Sequence, residues 1–412
     1  MANHHCNFCK TPLEHTFCDL GKSPRSNAYL KDEDLTKNEP YYPLHVYVCD
    51  QCFLVQLKQF EAIDEIFSDE YAYFSSYSTS WLRHAETYVK SMIQRFGYNE
   101  ESQVIEVASN DGYLLQYFHK ENIPVLGIEP CANVAAAAEK IGIPSLLKFF
   151  GVETAKELVK QGIMADLLLG NNVLAHVPDI NDFVAGMKLI LKADGIITME
   201  FPHLLQLMEK NQFDTIYHEH FSYLSFLTVE KIFAKQGITL FDVEELPTHG
   251  GSLRIYGRHT ENSTRVVSDR VSALKKRESI HGLDQLATYR TFQQQSLKAK
   301  ESLLQFLEKA KKEGKTVVGY GAPAKGNTLL NFCGVRKDLI AYTVDRSPHK
   351  QGRYLPGTHI PIQTPEMISR TKPDYLLILP WNLKEEIMEQ MAEIRSWGGQ
   401  FVIPIPYTEI LS

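Results

Sequence analysis

Long uncharged apolar runs are missing from this chain of 412 residues. Runs such as 376–380 stop far short of the roughly 20 residues that a membrane-spanning helix needs, so we expect no membrane partner. The N-terminal segment also lacks the apolar core of a signal peptide. The sequence therefore predicts a protein that stays where it is made, in the cytoplasm.

An excess of basic charge is also missing, since 43 Lys and Arg residues face 50 Asp and Glu residues and give a net charge of -7. This balance offers no electrostatic reason to expect nucleic acid as a partner. The length is about twice that of a typical domain, which predicts two or three domains, each with its own core.

The cysteines number seven, which is odd, and in a reducing compartment they are expected to be metal ligands or buried thiols rather than disulfides. Four of them form two Cys-x-x-Cys pairs, Cys6 with Cys9 and Cys49 with Cys52. Four thiolates at this spacing suit tetrahedral Zn²⁺ and leave no position for water, so the metal is expected to be structural. His4 and His5 adjoin the first pair and are weaker candidate ligands. We interpret 1–75 as a small zinc-binding domain.

A glycine-rich dinucleotide fingerprint is absent from the first strand-to-helix turn of the next block, 76–258. Strand-like runs at 104–107, 125–128, 166–169, 195–199 and 253–256 alternate with helix-length stretches, which predicts a mainly parallel α/β sheet. The turn after the first run contains no G-x-G-x-x-G, and S-adenosylmethionine, which has no phosphates, fits it better than a dinucleotide does. Glu129 ends the second run, where a carboxylate can accept hydrogen bonds from ribose hydroxyls. The candidate cofactor-binding residues are Glu106, Ser109, Asn110, Asp111, Gly112, Glu129 and Asn172.

Two later segments carry ionisable groups at strand ends. Asn172 and His176 follow the third run, and Tyr217, His218, Glu219 and His220 follow the fourth. An imidazole can remove a proton near neutral pH, and an adjacent carboxylate can hold its tautomer. The segment His249-Gly-Gly-Ser-Leu-Arg254 is a further candidate for contact with an anionic ligand.

A second, smaller α/β domain is predicted over 316–412, after a helical linker over 259–315. The segment 319–324 fits G-x-G-x-x-A, and Asp345 ends the next strand, which is typical of a dinucleotide site. An NAD-dependent nucleotide-sugar oxidoreductase is therefore one alternative. Pro323 and Lys325 favour instead a helix N-terminus with a nearby ammonium, suited to a diphosphate.

The motifs together resemble those of the nucleotide-sugar C-3-methyltransferases that build branched deoxysugars. The shared stretches are the Cys-x-x-Cys pairs, 106–112, 172–176, 217–220, 249–254 and 319–325, in the same order and over nearly the whole chain. The resemblance implies a zinc-binding domain, a central class I (Rossmann-like) S-adenosylmethionine-dependent domain, and a smaller Rossmann-like C-terminal domain that helps to hold the nucleotide.

The same resemblance assigns roles to residues. His220 resembles the base, with Glu219 and Tyr217 beside it and Asn172 and His176 bordering the pocket. Tyr73 resembles a tyrosine that reaches the sugar, with Tyr71 as the alternative two residues away. The expected substrate contacts are Asn172, Arg254, Lys325 and Asn327.

The expected reaction is methylation at carbon 3 of an NDP-4-keto-6-deoxyhexose through an enolate formed by the base. A third interpretation is a zinc module that binds nucleic acid or protein without catalysis. It predicts a basic face, yet basic and acidic residues between the cysteine pairs balance. The sequence leaves the oligomeric state open, with a monomer as one option.

Overall fold

The computed structural model describes residues 4–60 and 73–412. Within this part of the chain, no helix is long and apolar enough to cross a membrane. Three sheets organise the fold: a small antiparallel sheet, a seven-stranded sheet and a six-stranded sheet.

Three strands of the small sheet come from the N-terminal part of the chain, and the fourth comes from much later in the sequence. Its order is β1-β2-β3-β9, with all pairs antiparallel. The strands are β1 (His15–Ser23), β2 (Tyr42–Val48), β3 (Val55–Leu57) and β9 (Ser222–Tyr223). Because β9 directly follows Tyr217–His220, this pairing ties the predicted base segment to the N-terminal domain.

The seven-stranded sheet forms the centre of the molecule, in the order β10-β11-β8-β7-β4-β5-β6. Only β11 runs antiparallel to its neighbours, so the predicted mainly parallel sheet is confirmed. The strands are β4 (Val104–Val107), β5 (Val125–Ile128), β6 (Ser145–Leu146), β7 (Ala165–Asn171), β8 (Leu191–Pro202), β10 (Ile238–Leu246) and β11 (Ser252–His259).

Helices cover both faces of this sheet, as connections between parallel strands require. The first is capped by the Ser78 side chain, which accepts from the Trp81 N–H, and ends at Gly97, whose φ is 74°. The helices are α1 (Thr79–Phe96), α2 (Leu115–Lys120), α3 (Ala132–Lys140), α4 (Val152–Lys160), α5 (Ile180–Ile190), α6 (Leu204–Glu209) and α7 (Phe226–Lys235).

The predicted linker is helical and packs against the N-terminal domain. It contains α8 (Asp269–Ile280), α9 (Leu286–Tyr289) and α10 (Phe292–Lys312). Phe292 stacks on Phe17 of β1 with ring centroids 4.6 Å apart. One hydrophobic core therefore runs from the small sheet through the linker into the C-terminal domain.

The C-terminal sheet has the order β14-β13-β12-β15-β16-β17, parallel except for β17. Its strands are β12 (Val317–Tyr320), β13 (Thr343–Val344), β14 (Ile362–Gln363), β15 (Tyr375–Ile378), β16 (Gln400–Ile403) and β17 (Glu409–Leu411). Its helices are α11 (Ala324–Cys333), α12 (Glu366–Thr371) and α13 (Lys384–Gln390). The three-part α/β fold class predicted from the sequence is confirmed.

Candidate active site

A cavity of about 710 Å³ lies where the N-terminal, central and C-terminal parts of the chain meet. This is an ordinary volume for a small-molecule site. The predicted site residues in its lining are Tyr73, Asn110, Glu129, Asn172, His176, Tyr217, Glu219, His220 and Lys325. The predicted residues Glu106, Ser109, Asp111, Gly112, Arg254 and Asn327 are not in the lining, and Tyr71 lies outside the described residues.

The turn after β4 curls tightly at one end of the cavity. Ala108, Asn110 and Gly112 all have positive φ, at 57°, 51° and 75°. The Glu129 carboxylate holds this turn, since it accepts the N–H groups of Asn110 and Cys131, both at 2.9 Å. A carboxylate has about four acceptor sites, so Glu129 can also accept from a ligand hydroxyl.

Polar atoms around this turn suit a polar cofactor. Ser109 Oγ and Asp111 Oδ1 are buried without a hydrogen-bond partner in the described part of the chain. Glu106 is completely buried beside Tyr113, and burial raises its pKa well above the ordinary value. Asn110 and Glu129 bring polar atoms of this region into the cavity lining, and these fit S-adenosylmethionine.

Asn110 and Asp111 use their side chains in a way the sequence did not reveal. Asn110 Oδ1 accepts the Ser75 N–H at 2.9 Å, and Asp111 Oδ2 accepts the Ser76 N–H at 3.1 Å. Asn110 Nδ2 donates to the Tyr73 carbonyl at 3.1 Å. These side chains therefore hold the segment that presents Tyr73, which is 47% exposed.

His220 is held as a neutral imidazole with one nitrogen fixed. Its Nδ1 lies 2.8 Å from the Thr215 carbonyl oxygen. Because a carbonyl only accepts, Nδ1 carries the hydrogen and Nε2 keeps its lone pair. Burial, reinforced by the charge that His176 would carry, holds the pKa of His220 well below its ordinary value.

Two rings pack directly on this imidazole. The His176 ring meets it edge to face with centroids 4.6 Å apart, and the Tyr217 ring lies at 4.0 Å. Burial lowers the pKa of His176 to about 4. The two histidines are thus brought together as uncharged rings, and both line the cavity.

Glu219 does not orient His220, contrary to the expectation that an adjacent carboxylate fixes the tautomer. Its Oε1 accepts instead from Asn27 Nδ2 at 2.6 Å. Burial raises the pKa of Glu219 to about 7. The carbonyl of Thr215 takes the orienting role because the short helix Phe213–Thr215 brings the backbone under the ring.

The structure places Arg254, expected to contact the ligand, outside the cavity lining. Arg254 lies on β11 opposite Glu200 of β8, and its guanidinium pairs with that carboxylate at 2.8 Å and with Glu244 at 3.4 Å. His249 of the same motif does line the cavity and lies 2.9 Å from Asn172 Nδ2. Asn327 is also outside the lining, and its Nδ2 donates to the Ser26 carbonyl at 2.6 Å.

The C-terminal side of the cavity is basic. Lys325, in the first turn of α11, donates to Asn382 Oδ1 at 2.8 Å, and its Nζ lies 4.4 Å from the centroid of the Trp381 ring. The Trp381 Nε1–H donates to the buried Asp214 at 2.6 Å. Burial lowers the pKa of Lys325 and raises that of Asp214 to about 6.

Lys350 and Asn27 are lining residues that the sequence reasoning missed. Lys350 Nζ donates to the Ala322 carbonyl at 2.9 Å and lies 3.8 Å from Asp345. Both residues come from loops outside every motif, so no spacing signal marks them.

The four paired cysteines converge as predicted. Their sulfur atoms all lie within 4.8 Å of one another, with Cys6 and Cys52 3.5 Å apart and Cys9 and Cys49 3.4 Å apart. Neither His4 nor His5 belongs to the group. The donor set, four thiolates, fits a closed structural Zn²⁺ site.

Three family models match consecutive parts of the chain: a zinc binding domain over 6–67, a methyltransferase domain over 81–243 and a C-methyltransferase C-terminal domain over 247–406. The C-methyltransferase NovU of Streptomyces niveus is 34% identical over 393 residues, which is 95% of this chain and 93% of that protein.

Solved structures resemble the chain only weakly. The PH0226 protein from Pyrococcus horikoshii OT3 aligns with a TM-score of 0.38 at 14% identity over 48% of this chain and 99% of its own. Magnesium protoporphyrin IX methyltransferase (ChlM) from Synechocystis PCC 6803 with bound SAH aligns with a TM-score of 0.35 at 12% identity, over 47% and 90%.

The matched domains and the thiolate cluster confirm the two predicted cofactors, S-adenosylmethionine and zinc. The comparisons favour a C-methyltransferase over the two alternatives, an NAD-dependent oxidoreductase and a binding module without catalysis. The chain therefore belongs to the family of S-adenosylmethionine-dependent C-methyltransferases that carry a zinc-binding domain.

Proposed function

We propose that the protein methylates carbon 3 of a nucleotide-linked 4-keto-6-deoxyhexose, with His220 as the base. The observation that carries this proposal is the fixed tautomer of His220, whose Nδ1 is bound to the Thr215 carbonyl in a residue that lines the cavity. The order of the motifs, which resembles that of nucleotide-sugar C-3-methyltransferases, supports this substrate class.

His220 starts the reaction by removing a proton. A 4-keto group acidifies the neighbouring carbon-hydrogen bond at carbon 3, and the neutral Nε2 takes that proton while the bonding electrons pass into an enolate. The lowered pKa of His220 keeps the imidazole in its basic form near neutral pH. The proton leaves the imidazolium for solvent after turnover.

Donors in the same lining stabilise the enolate oxygen. Tyr217 and His176 lie against the base, and Tyr73 is presented from the segment held by Asn110. Preorganised donors of this kind lower the barrier because they need no rearrangement as charge develops. S-adenosylmethionine, when bound, supplies the electrophilic methyl group, and Glu129 and the turn 106–112 are the residues proposed to hold it.

The basic end of the cavity suits the diphosphate of the nucleotide. Lys325 and the N-terminus of α11 face the cavity together with Lys350. An ammonium beside unpaired helix N–H groups attracts phosphate oxygens. Asn172 completes the proposed substrate contacts from the central domain.

Hydrogen exchange at carbon 3 tests the proposal without methyl transfer. The protein is incubated in deuterated water with dTDP- and GDP-linked 4-keto-6-deoxyhexoses, and deuterium at carbon 3 is measured by mass spectrometry. Wild type is expected to exchange, and His220→Asn to exchange on the order of 100-fold more slowly with unchanged binding.

The matched control is His176→Asn, which alters the adjacent ring but leaves the proposed base intact. If His176→Asn stops exchange while His220→Asn does not, His176 is the base. If wild type exchanges none of these sugars yet methylates another carbon acid from labelled cofactor, the substrate class is wrong.

A further inference from the structure

The base segment is held in place by the N-terminal zinc domain. The Leu57 N–H on β3 donates to the Phe221 carbonyl at 3.0 Å, next to His220. The Phe221 N–H in turn donates to the Ala175 carbonyl at 2.7 Å, next to His176. Phe221 therefore links the backbone of both histidine segments to β3 of the small sheet.

Each cysteine pair also contacts the helix that follows one of the two histidine segments. In the first pair, the Asn7 and Phe8 carbonyls both accept from Asn181 Nδ2 at 3.0 Å. Asn181 lies in the first turn of α5, five residues after His176. In the second pair, the Cys52 carbonyl accepts from the Thr228 hydroxyl at 3.1 Å, in the first turn of α7.

The buried Gln56 side chain bonds the first cysteine pair to Leu54, two residues after the second pair, and the Gln56 backbone pairs with β9. Its Oε1 accepts the Asn7 N–H at 2.7 Å, and its Nε2 donates to Cys6 Sγ and to the Leu54 carbonyl, both at 3.2 Å. Its backbone lies opposite Ser222 in the β3–β9 pair. Gln56 is only 1% exposed, so these contacts do not compete with water.

We infer that Gln56 and Asn181, together with the zinc site, are positioning residues that fix the separation of the His176 and His220 rings. This inference rests on the proposed function of His220. Zinc bound by the four thiolates would join the two cysteine pairs, Gln56 bonds the first pair to the strand after the second, and each pair contacts the helix that follows one histidine segment. Outer-shell partners of a metal site commonly orient the groups around it. The zinc domain thereby serves the reaction without contacting the reacting atoms.

Loss of the Gln56 contacts should affect rate rather than binding. Gln56→Met keeps the side-chain length but removes one acceptor and two donor contacts. A small displacement of a reacting group can cost on the order of 100-fold in rate. We expect carbon-3 exchange and kcat to fall on the order of 10-fold or more, with KM and cofactor affinity within about twofold.

Two readouts do not depend on activity. In protein labelled with ¹⁵N-histidine, Gln56→Met should shift the ring resonances of His176 and His220, because the rings lie edge to face. Zinc release to a chelator should accelerate on the order of 10-fold, as for other outer-shell variants. The matched control is Thr16→Val, which removes the Thr16–His45 contact at 2.8 Å in the same domain, away from both histidine segments.

Asn181→Ala is the second variant, because Asn181 is only partly buried and alanine suits a helix. Like Gln56→Met, Asn181→Ala should lower kcat and leave KM nearly unchanged. Unchanged ring resonances and exchange in Gln56→Met and Asn181→Ala would overturn the inference, as would an equal loss in Thr16→Val. If wild type shows no carbon-3 exchange, the proposed function fails, and the ring resonances and zinc release still decide this inference.

Discussion

Two strand-to-helix turns meet the same cavity but differ in how much of their hydrogen bonding is already used. The turn after β4 leaves Ser109 Oγ and Asp111 Oδ1 without partners among the residues described. In the turn after β12, the Ala322 N–H donates to Asp345 at 2.7 Å, and the Ala322 carbonyl accepts from Tyr29 at 2.5 Å and from Lys350. Two side-chain atoms of the first turn therefore have no protein partner among the residues described, whereas both backbone groups of Ala322 in the second turn are bonded within the protein.

The carboxylates that follow the two neighbouring strands are held alike, so they do not distinguish the two turns. Asp345 follows β13, and its carboxylate accepts the N–H groups of Ala322 and of Ser347, the latter at 2.8 Å. Glu129 is held in the same way by two backbone N–H groups. The charges around the two turns differ. Carboxylates surround the first turn, which suits a sulfonium cofactor, and lysines face the second, which suits phosphates.

The largest expected effect is on the first turn. Glu129→Ala removes a carboxylate that holds the turn and is proposed to accept the ribose hydroxyls. Charge-assisted hydrogen bonds contribute about 1.5 to 3 kcal/mol each, so S-adenosylmethionine should bind on the order of 100-fold more weakly in calorimetry. Nucleoside diphosphate affinity should be unchanged. An unaltered cofactor affinity would remove Glu129 from the site.

Two buried carboxylates should give opposite pH dependence of stability. Although burial alone raises the pKa of Glu200, the hydrogen bond from His84 and the Arg254 guanidinium outweigh it and bring that pKa to about 2. Its stabilising contribution is therefore present above the unfolded pKa of about 4.3 and is lost as the pH falls towards 2.

Asp214 behaves in the opposite way, because burial raises its pKa to about 6. The unfolded carboxyl ionises from about pH 4, so wild type loses stability as the pH rises from about 4 to 6. Asp214→Asn keeps an acceptor for Trp381. In urea unfolding, it should reduce the loss of unfolding free energy between pH 4 and 6 by on the order of 2 kcal/mol. If the unfolding free energies of wild type and Asp214→Asn changed equally between pH 4 and 7, the raised pKa of Asp214 would be contradicted.

The second turn should respond to the loss of a cation. Lys325→Met is expected to weaken nucleoside diphosphate binding about tenfold at low salt, since a charge-assisted contact to phosphate is lost, and to reduce the salt dependence. Lys148→Met is the control, because Lys148 lines the cavity but pairs with Glu157. Equal losses in both variants would mean that only the net charge of the cavity matters.

Local patterns predicted the strands and the positions of several cavity residues. Short β-branched runs bounded by turns gave 104–107 and 125–128 with the same bounds as β4 and β5. His176 and Glu129 line the cavity because parallel strands end at one edge of their sheet.

The rest depends on contacts between distant segments. Arg254 was misplaced because β11 runs antiparallel and sets it against Glu200. The two-residue strand β9 is too short to be recognised, yet it joins the segment of the proposed base to the zinc domain. Lys350 lines the cavity because the C-terminal domain packs beside Tyr29. The Lys350 Nζ lies 5.1 Å from the centroid of the Tyr29 ring.

The smallest expected effect compares the glycines of the two turns. Gly112 and Gly321 have φ values of 75° and 85°, which strain any other residue by about 1 kcal/mol or more. An added Cβ would lie 3.1 Å from Ile143 and 3.2 Å from Ala138 at Gly112, but 2.6 Å from the Pro380 ring at Gly321. Because the contact at Gly321 is about 0.5 Å closer and needs a larger shift, Gly321→Ala should destabilise the protein about 1 kcal/mol more than Gly112→Ala in urea unfolding. It should also weaken nucleotide binding, since Pro380 precedes Trp381 and Asn382, which hold Lys325. Equal stability losses, with nucleotide binding untouched in both variants, would show that the second turn is no more tightly packed than the first.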